Sequence, residues 1–338
     1  MDDRNGPVAH IRQSRAVPSY ATSFGPEPFA AREIRDVRLT RDRLRLLVAR
    51  GRVRRVVQGV YVDALVPDSR ELRATAIARV VPAGRVVCGR TAAWFWGVDA
   101  LAMGAHRVLP DVDVMGSPGT AALRRSGALG CTGPLPDDDL DVVAGVALTS
   151  PARTAADLAR LLRRPDALAA LDALLRLPDL EREQIRAVLD RFVGYRGVVQ
   201  GRELLAIADA RSESPQESRT RLRCIDAGFP APELQIEVFD PVGTFVARLD
   251  MGWREWLKAV EFDGDKDHST LLQQRRDRAR RRHAERCGWG MAVVTTEHVM
   301  GHGLAFEHGI ADLVGIGFSL TRNHPHRGGW QARTCWAA

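Results

Sequence analysis

The sequence predicts an α+β protein with a winged helix first, a mixed and largely helical middle, and a C-terminal αβββαβ core. Three observations carry this. Residues 39–64 read as a helix followed by a hairpin, residues 149–210 place apolar residues at helical spacing, and residues 212–300 run helix, three strands, helix, strand. At 338 residues the chain exceeds one ordinary domain, so two or three compact units are expected. The divisions are a disordered tail (1–31), a winged-helix unit (32–98), a β-rich connector with a helical scaffold (99–210), the αβββαβ domain (211–318) and a loosely ordered tail (319–338).

Composition narrows the function classes. With 45% hydrophobic and 27% charged residues the chain is of ordinary globular type. No apolar run is long enough to span a bilayer, and residues 1–30 hold no continuous apolar stretch of the secretory kind. No membrane association and cytoplasmic residence are the resulting expectations. The net charge is +7, nearly all of the excess being arginine. That is the footprint expected of a nucleic-acid partner, although a high-GC genome would also raise arginine throughout. Five cysteines are scattered without a CxxC, which supports neither a disulfide framework nor a zinc knuckle. There is no glycine-rich phosphate loop and no nucleophile elbow, so a small-molecule enzyme has little behind it.

In "LTRDRLRLLVARGRVRRVVQGVYVDA" (39–64), Thr40 is placed to cap a helix carrying Leu44, Leu47 and Val48, and Gly51 to end it. "VRRVVQGVYV" then alternates as two strands turning at Gln58-Gly59. Seven arginines fall within residues 41–55 with only Asp42 against them. Arg41, Arg43, Arg45, Arg54 and Arg55 are the expected DNA contacts of this unit; a merely solvated basic face is the alternative. The helix, its "ARGRVRRV" exit and the "GVY" strand resemble the N-terminal domain of AbiEi-type antitoxins of type IV toxin-antitoxin systems. "RELRATAIARVVPAGRVVCGRTAAWFWGV" (70–98) is also similar to that group. The resemblance implies DNA binding and a toxin partner.

Residues 99–150 read as short strands among turns, and "TSPARTAADLARLL" opens a helical stretch with Ser150 as cap and Pro151 at the first position. No chemistry is visible there. From Ser212 the character changes. "SESPQESRTRLRCIDAGFP" is a capped helix with Glu217 near its start, followed by strands ending in "ARLD" and "VEFDG", an arginine-rich helix around "QQRRDRARRRHAER" and a last strand, "GMAVVTT".

Asp250 and Glu261 stand on neighbouring strands joined by a tight turn, so their carboxylates can converge, and Glu261 and Asp263 share a strand face. Glu217 would add another acid from the helix. Carboxylates at close range repel unless a cation sits among them, and Mg²⁺ or Mn²⁺ accepts such an open oxygen site, with Asp250, Glu261 and Asp263 as ligands. The duller readings are a helix-start acid for Glu217 and a strand-end turn former for Asp250. The arginines of the following helix, Arg275, Arg276 and Arg280 among them, would hold the DNA backbone.

The quoted segments, in this order over 212–300, resemble the Vsr-like endonuclease domains of the PD-(D/E)XK superfamily, with a restriction-endonuclease-like core. The resemblance implies a Mg²⁺-dependent DNA endonuclease in which Glu217, Asp250, Glu261 and Asp263 belong to the catalytic group. The chain departs from the superfamily where a lysine is usual, holding Asp263. His268 is then the first candidate to replace that lysine, ahead of Lys258 and Lys266. The reading from a different class is a non-catalytic, antitoxin-like regulator that keeps the nuclease fold as scaffold. A homodimer and a toxin partner stay open.

Overall fold

Residues 24–100, 111–121, 124–125, 128–143, 145–263, 271–327 and 330 are described in the computed structural model of the chain. Its class is α+β, as expected, with sheets of three, six and four strands among the described residues.

The N-terminal unit comprises β1 (Phe29–Ala30), α1 (Arg41–Ala49), β2 (Val53–Val57) and β3 (Val60–Asp63), in the order β1-β3-β2. The Thr40 hydroxyl caps α1, accepting from the Arg43 N–H at 3.2 Å. Leu44 and Leu47 turn inward against Phe29, Ile34 and Val53. Gly51, at φ +65°, ends the helix and Gly59, at φ +78°, closes the hairpin; both angles lie where a Cβ is unfavourable. β1 falls in the span expected to be a tail. Phe29 is only 4% exposed and pairs with Tyr61, but a two-residue strand carries no periodicity to read. Residues 1–23 of that tail lie outside the described residues.

α2 (Arg70–Ala78) begins at Ser69, whose hydroxyl accepts from the Leu72 N–H. After it come β4 (Val86–Val87), α3 (Gly89–Phe95), β5 (Val112–Gly116), β6 (Arg124–Arg125), β7 (Ala128–Thr132), β8 (Leu140–Val143) and β9 (Val146–Thr149). These strands form one sheet in the order β6-β7-β5-β4-β9-β8. The boundary expected at residue 98 does not separate two cores. Val60, Val62 and Ile77 share an apolar cluster with Val87, Val114 and Leu148, so the basic unit and the six-stranded sheet are joined by burial. Four helices follow: α4 (Pro151–Leu161), α5 (Arg164–Leu174), α6 (Arg182–Arg191) and α7 (Val198–Ile207). Ser150 caps α4 and Pro151 opens it, as the sequence predicts.

The C-terminal part has the expected αβββαβ order in α8 (Pro215–Asp226), β10 (Glu233–Phe239), β11 (Phe245–Trp253), β12 (Lys258–Phe262), α9 (Leu271–Arg286) and β13 (Gly290–Val294), completed by α10 (Thr296–Met300) and α11 (Ala305–Val314). The sheet runs β10-β11-β12-β13, the first two pairings antiparallel and the last parallel. Gln235 has φ +54°, and the β10–β11 ladder passes from Leu234↔Met251 to Ile236↔Leu249 across it, leaving Asp250 opposite. Leu234 and Met251 bury with Cys224 of α8, whereas Ile236 and Leu249 bury with Ala284 of α9. Residues two apart on one strand normally share a face, so both strands change face at Gln235 and Asp250.

The segment from 319, expected to be loosely ordered, is packed as far as it is described. Ser319 and Thr321 donate their N–H groups to the carbonyls of Ala227 and Asp226, and the Trp330 ring, 2% exposed, donates Nε1–H to Asp226 at 2.9 Å. Residues 331–338 lie outside the described residues. No described helix is long and apolar enough to cross a membrane.

Candidate functional site

Two groups of side chains were expected to carry function, and they meet different fates. On α1, Arg41, Arg43 and Arg45 are exposed, as are Arg50 and Arg52 beyond its end. Leu44 and Leu47 fix the buried stripe, which leaves the other positions to solvent. Arg45 pairs with Asp42 at 3.1 Å, both side chains largely in water, so the pair is weak. Arg55 lies over the Tyr61 ring at 5.6 Å. Arg41, Arg45 and Arg55 rim an open depression of about 410 Å³ floored by Ile34, Leu44, Val48 and Tyr61. Arg54 departs from its expected role: it is half-buried and donates to the Val66 carbonyl at 3.0 Å, tying the hairpin to the chain beyond it. A fixed array of guanidinium groups on one exposed helix and its hairpin can neutralise phosphates.

The carboxylates are on α8, β11 and β12. The Ser214 hydroxyl caps α8 by accepting from the Glu217 N–H, and Glu217 Oε2 accepts from the Glu213 N–H and from Gln235 Nε2, each at 3.0 Å. Part of its role is thus the helix-start reading. Asp250 Oδ2 accepts from the Phe262 N–H at 3.1 Å. Burial pushes the Asp250 carboxyl up to about 6; the Phe262 N–H opposes this, while the charges of Glu217 and Glu261 add to it. The charges of Glu217 and Glu261 thus both bear on Asp250.

Glu261 is 2% exposed and is held by a residue that sequence reasoning missed. Arg281 Nε donates to Glu261 Oε2 at 2.6 Å, its NH2 lies 3.9 Å from Asp263 Oδ2, and Arg280 lies 3.7 Å from Glu261 Oε1. Ala284, the buried alanine of the arginine run, is four residues beyond Arg280 and three beyond Arg281, so the two arginines nearest Glu261 share its face. Arg280, expected at the DNA backbone, looks toward the acid. The side chains of Arg275 and Arg276 lie outside the described residues, as do His268 and Lys266. Lys258 pairs with Gly290 at the opposite end of β12 from Glu261.

An Mg²⁺ or Mn²⁺ ion on Asp250, Glu261 and Asp263 does not fit this arrangement. The Glu261 carboxylate is taken by a guanidinium that also reaches Asp263, and Glu217 and Asp250 spend oxygens on amide donors. Among the described residues no three His, Cys, Asp or Glu side chains are gathered as a metal site.

The arginines of α8, and Arg164 of α5 beside them, face inward. Arg219 pairs with Asp166 at 2.9 Å, Arg221 with Asp172 at 2.7 Å and Arg164 with Asp226 at 3.0 Å, all six side chains buried between α5 and α8. Arg223, fully buried, pairs with Glu307 at 2.6 Å and donates to the carbonyls of His298, Val299, Gly301 and Gly303. The three α5–α8 pairs lock the helical middle to the C-terminal part, and Arg223 ties α8 to α11 within it.

Comparisons place the chain among known proteins. Residues 85–207, spanning the six-stranded sheet and α4–α7, match the AbiEi antitoxin C-terminal domain. The uncharacterized proteins Rv2248 and MT2308 of two Mycobacterium tuberculosis strains are each 35% identical over 262 residues, covering 77% of this chain and 92% of theirs. The crystal structure of the RV2827C protein from the same species covers 64% of this chain and 84% of its own at 16% identity, with a TM-score of 0.30, a likeness too low to argue from. The antitoxin-like region therefore lies mainly in the middle of the chain and overlaps the expected one only at 85–98.

Proposed function

The chain belongs to the family of the Mycobacterium tuberculosis proteins Rv2248 and MT2308, and from that premise we propose that it is a toxin-antitoxin-related, DNA-binding regulator. One observation carries the reading: the region similar to the AbiEi antitoxin C-terminal domain shares its apolar core with the unit that presents Arg41, Arg43 and Arg45 to solvent. In this reading α1 and its hairpin meet the duplex, their guanidinium groups contact phosphates, and the AbiEi-like middle holds them in place. A toxin protein is the expected second partner.

The competing reading, a Mg²⁺-dependent endonuclease, draws on the αβββαβ order and on the charges of Glu217 and Glu261 that bear on Asp250. The guanidinium on Glu261 weighs against it. Two measurements on purified protein test the choice. Fluorescence anisotropy with a labelled duplex should show binding that is weakened at least tenfold in the Arg41→Ala/Arg43→Ala/Arg45→Ala variant. Supercoiled plasmid with Mg²⁺ or Mn²⁺ should be shifted but not nicked. Nicking that disappears in both Glu261→Ala and Asp250→Ala would establish the endonuclease instead.

A further inference from the structure

Glu261 follows the buried Ala259 and Val260 on β12 and is itself buried, with α9 packed near it. A carboxylate at 2% exposure needs a compensating positive charge, because its lost hydration is not repaid by the surrounding apolar side chains. The chain supplies that charge internally. Arg281 Nε is 2.6 Å from Oε2, while Oε1 is buried without a hydrogen-bond partner. The second acid expected to share a metal, Asp263, lies 3.9 Å from the same guanidinium.

We propose that Arg281 is the resident cation of this carboxylate group, standing where a divalent ion would have to stand, so that the chain as it exists has no divalent-ion site at Glu261. Two cations exclude one another here. Mg²⁺ and Mn²⁺ bind carboxylate oxygens at about 2 Å, and a site here would draw on Glu261 together with Asp263. With the guanidinium seated on Oε2 and reaching Asp263, an ion at that place would lie in contact with a positive charge. Withdrawal of the Arg281 side chain frees Oε2 and Asp263, and Oε1, which accepts no hydrogen bond and lies 3.7 Å from Arg280, stands beside them as a further ligand oxygen. The group thus holds α9 onto β12, a positioning role, and gives the αβββαβ part a charge lock in place of a catalytic ion. None of this depends on the DNA-binding reading, which is tested through α1.

The test uses the full chain and Mn²⁺ alone. Thermal unfolding is followed with and without millimolar Mn²⁺, and bound Mn²⁺ is counted by electron paramagnetic resonance. Wild type should show no Mn²⁺-dependent rise in Tm and no stoichiometric Mn²⁺. Arg281→Ala should melt several degrees lower, regain part of that loss with Mn²⁺, and lose the recovery when Glu261→Gln is added. Two results would overturn the inference: stoichiometric Mn²⁺ on wild type that Glu261→Gln abolishes, or an Arg281→Ala protein as stable as wild type and indifferent to Mn²⁺. Should Arg281→Ala not fold, the wild-type and Glu261→Gln titrations still decide it.

Discussion

Helices α1 and α8 each carry arginines at alternate positions, Arg41, Arg43, Arg45 on one and Arg219, Arg221, Arg223 on the other, and their surroundings are opposite. On α1 all three are exposed and a single acid, Asp42, answers them. On α8 all three are at most 4% exposed, and each has a carboxylate from another element. Side chains two apart on a helix point about 200° from one another, so the first and third of such a triplet share a face and the middle one points away from it. It can be wholly buried only where the helix is surrounded, as α8 is by α5, α10 and the strands β11 and β12. The contrast teaches that an arginine run reports a binding face only after its acids have been located. The +7 net charge of the chain is therefore an incomplete guide to where DNA would lie.

The sharpest way to probe the contrast is to remove one arginine from each side of it. Arg223→Ala leaves Glu307 buried without its 2.6 Å partner and strands four carbonyls, and should cost about 3–5 kcal/mol of stability in urea unfolding. A loss below about 1 kcal/mol would mean that α8 is not surrounded as described. Asp250→Asn probes the neighbouring acid. A folded-state pKa of about 6 lies above the unfolded value of 3.8, so wild-type stability falls as pH rises between these values and stays reduced above them. The Asn variant should be more stable than wild type at pH 8 by on the order of 2 kcal/mol, less any solvent screening, and the advantage should vanish near pH 4. Equal pH profiles for the two proteins would refute it. A double-mutant cycle on Arg219 and Asp166 should give a coupling of about 1–3 kcal/mol, against about 0.5 kcal/mol or less for Arg45 and Asp42 on α1. Smallest of all, Arg41→Ala or Arg43→Ala should leave stability within about 0.5 kcal/mol of wild type.

Local signals in the sequence are dependable and non-local ones are not. Thr40, Ser150 and Ser214 each cap the helix they precede, because a cap is decided by residues three apart. The αβββαβ order follows from periodicities and turns within single segments. The inward direction of Arg219 and Arg223 depends on Asp166 and Glu307, 53 and 84 residues away, which no window along the chain contains. At the candidate site, Glu217, Asp250 and Glu261 are legible as acids in apolar settings, but their counterion is not. Arg281 sits in a run of arginines, and its partner Glu261 is 20 residues away on another element. The antitoxin likeness expected over 39–98, where a helix and hairpin stand out, is matched only from 85, and the matched region runs to 207 through helices that carry periodicity and no motif.

The central claim is that the exposed arginines of α1 meet nucleic acid, and the salt dependence of duplex affinity tests it most directly. Log Kobs plotted against log salt concentration should be steep for wild type. In Arg41→Ala/Arg43→Ala/Arg45→Ala the slope should shrink by roughly 0.9 for each phosphate that is no longer neutralised, with stability unchanged. An unaltered slope and affinity in that variant would contradict the claim.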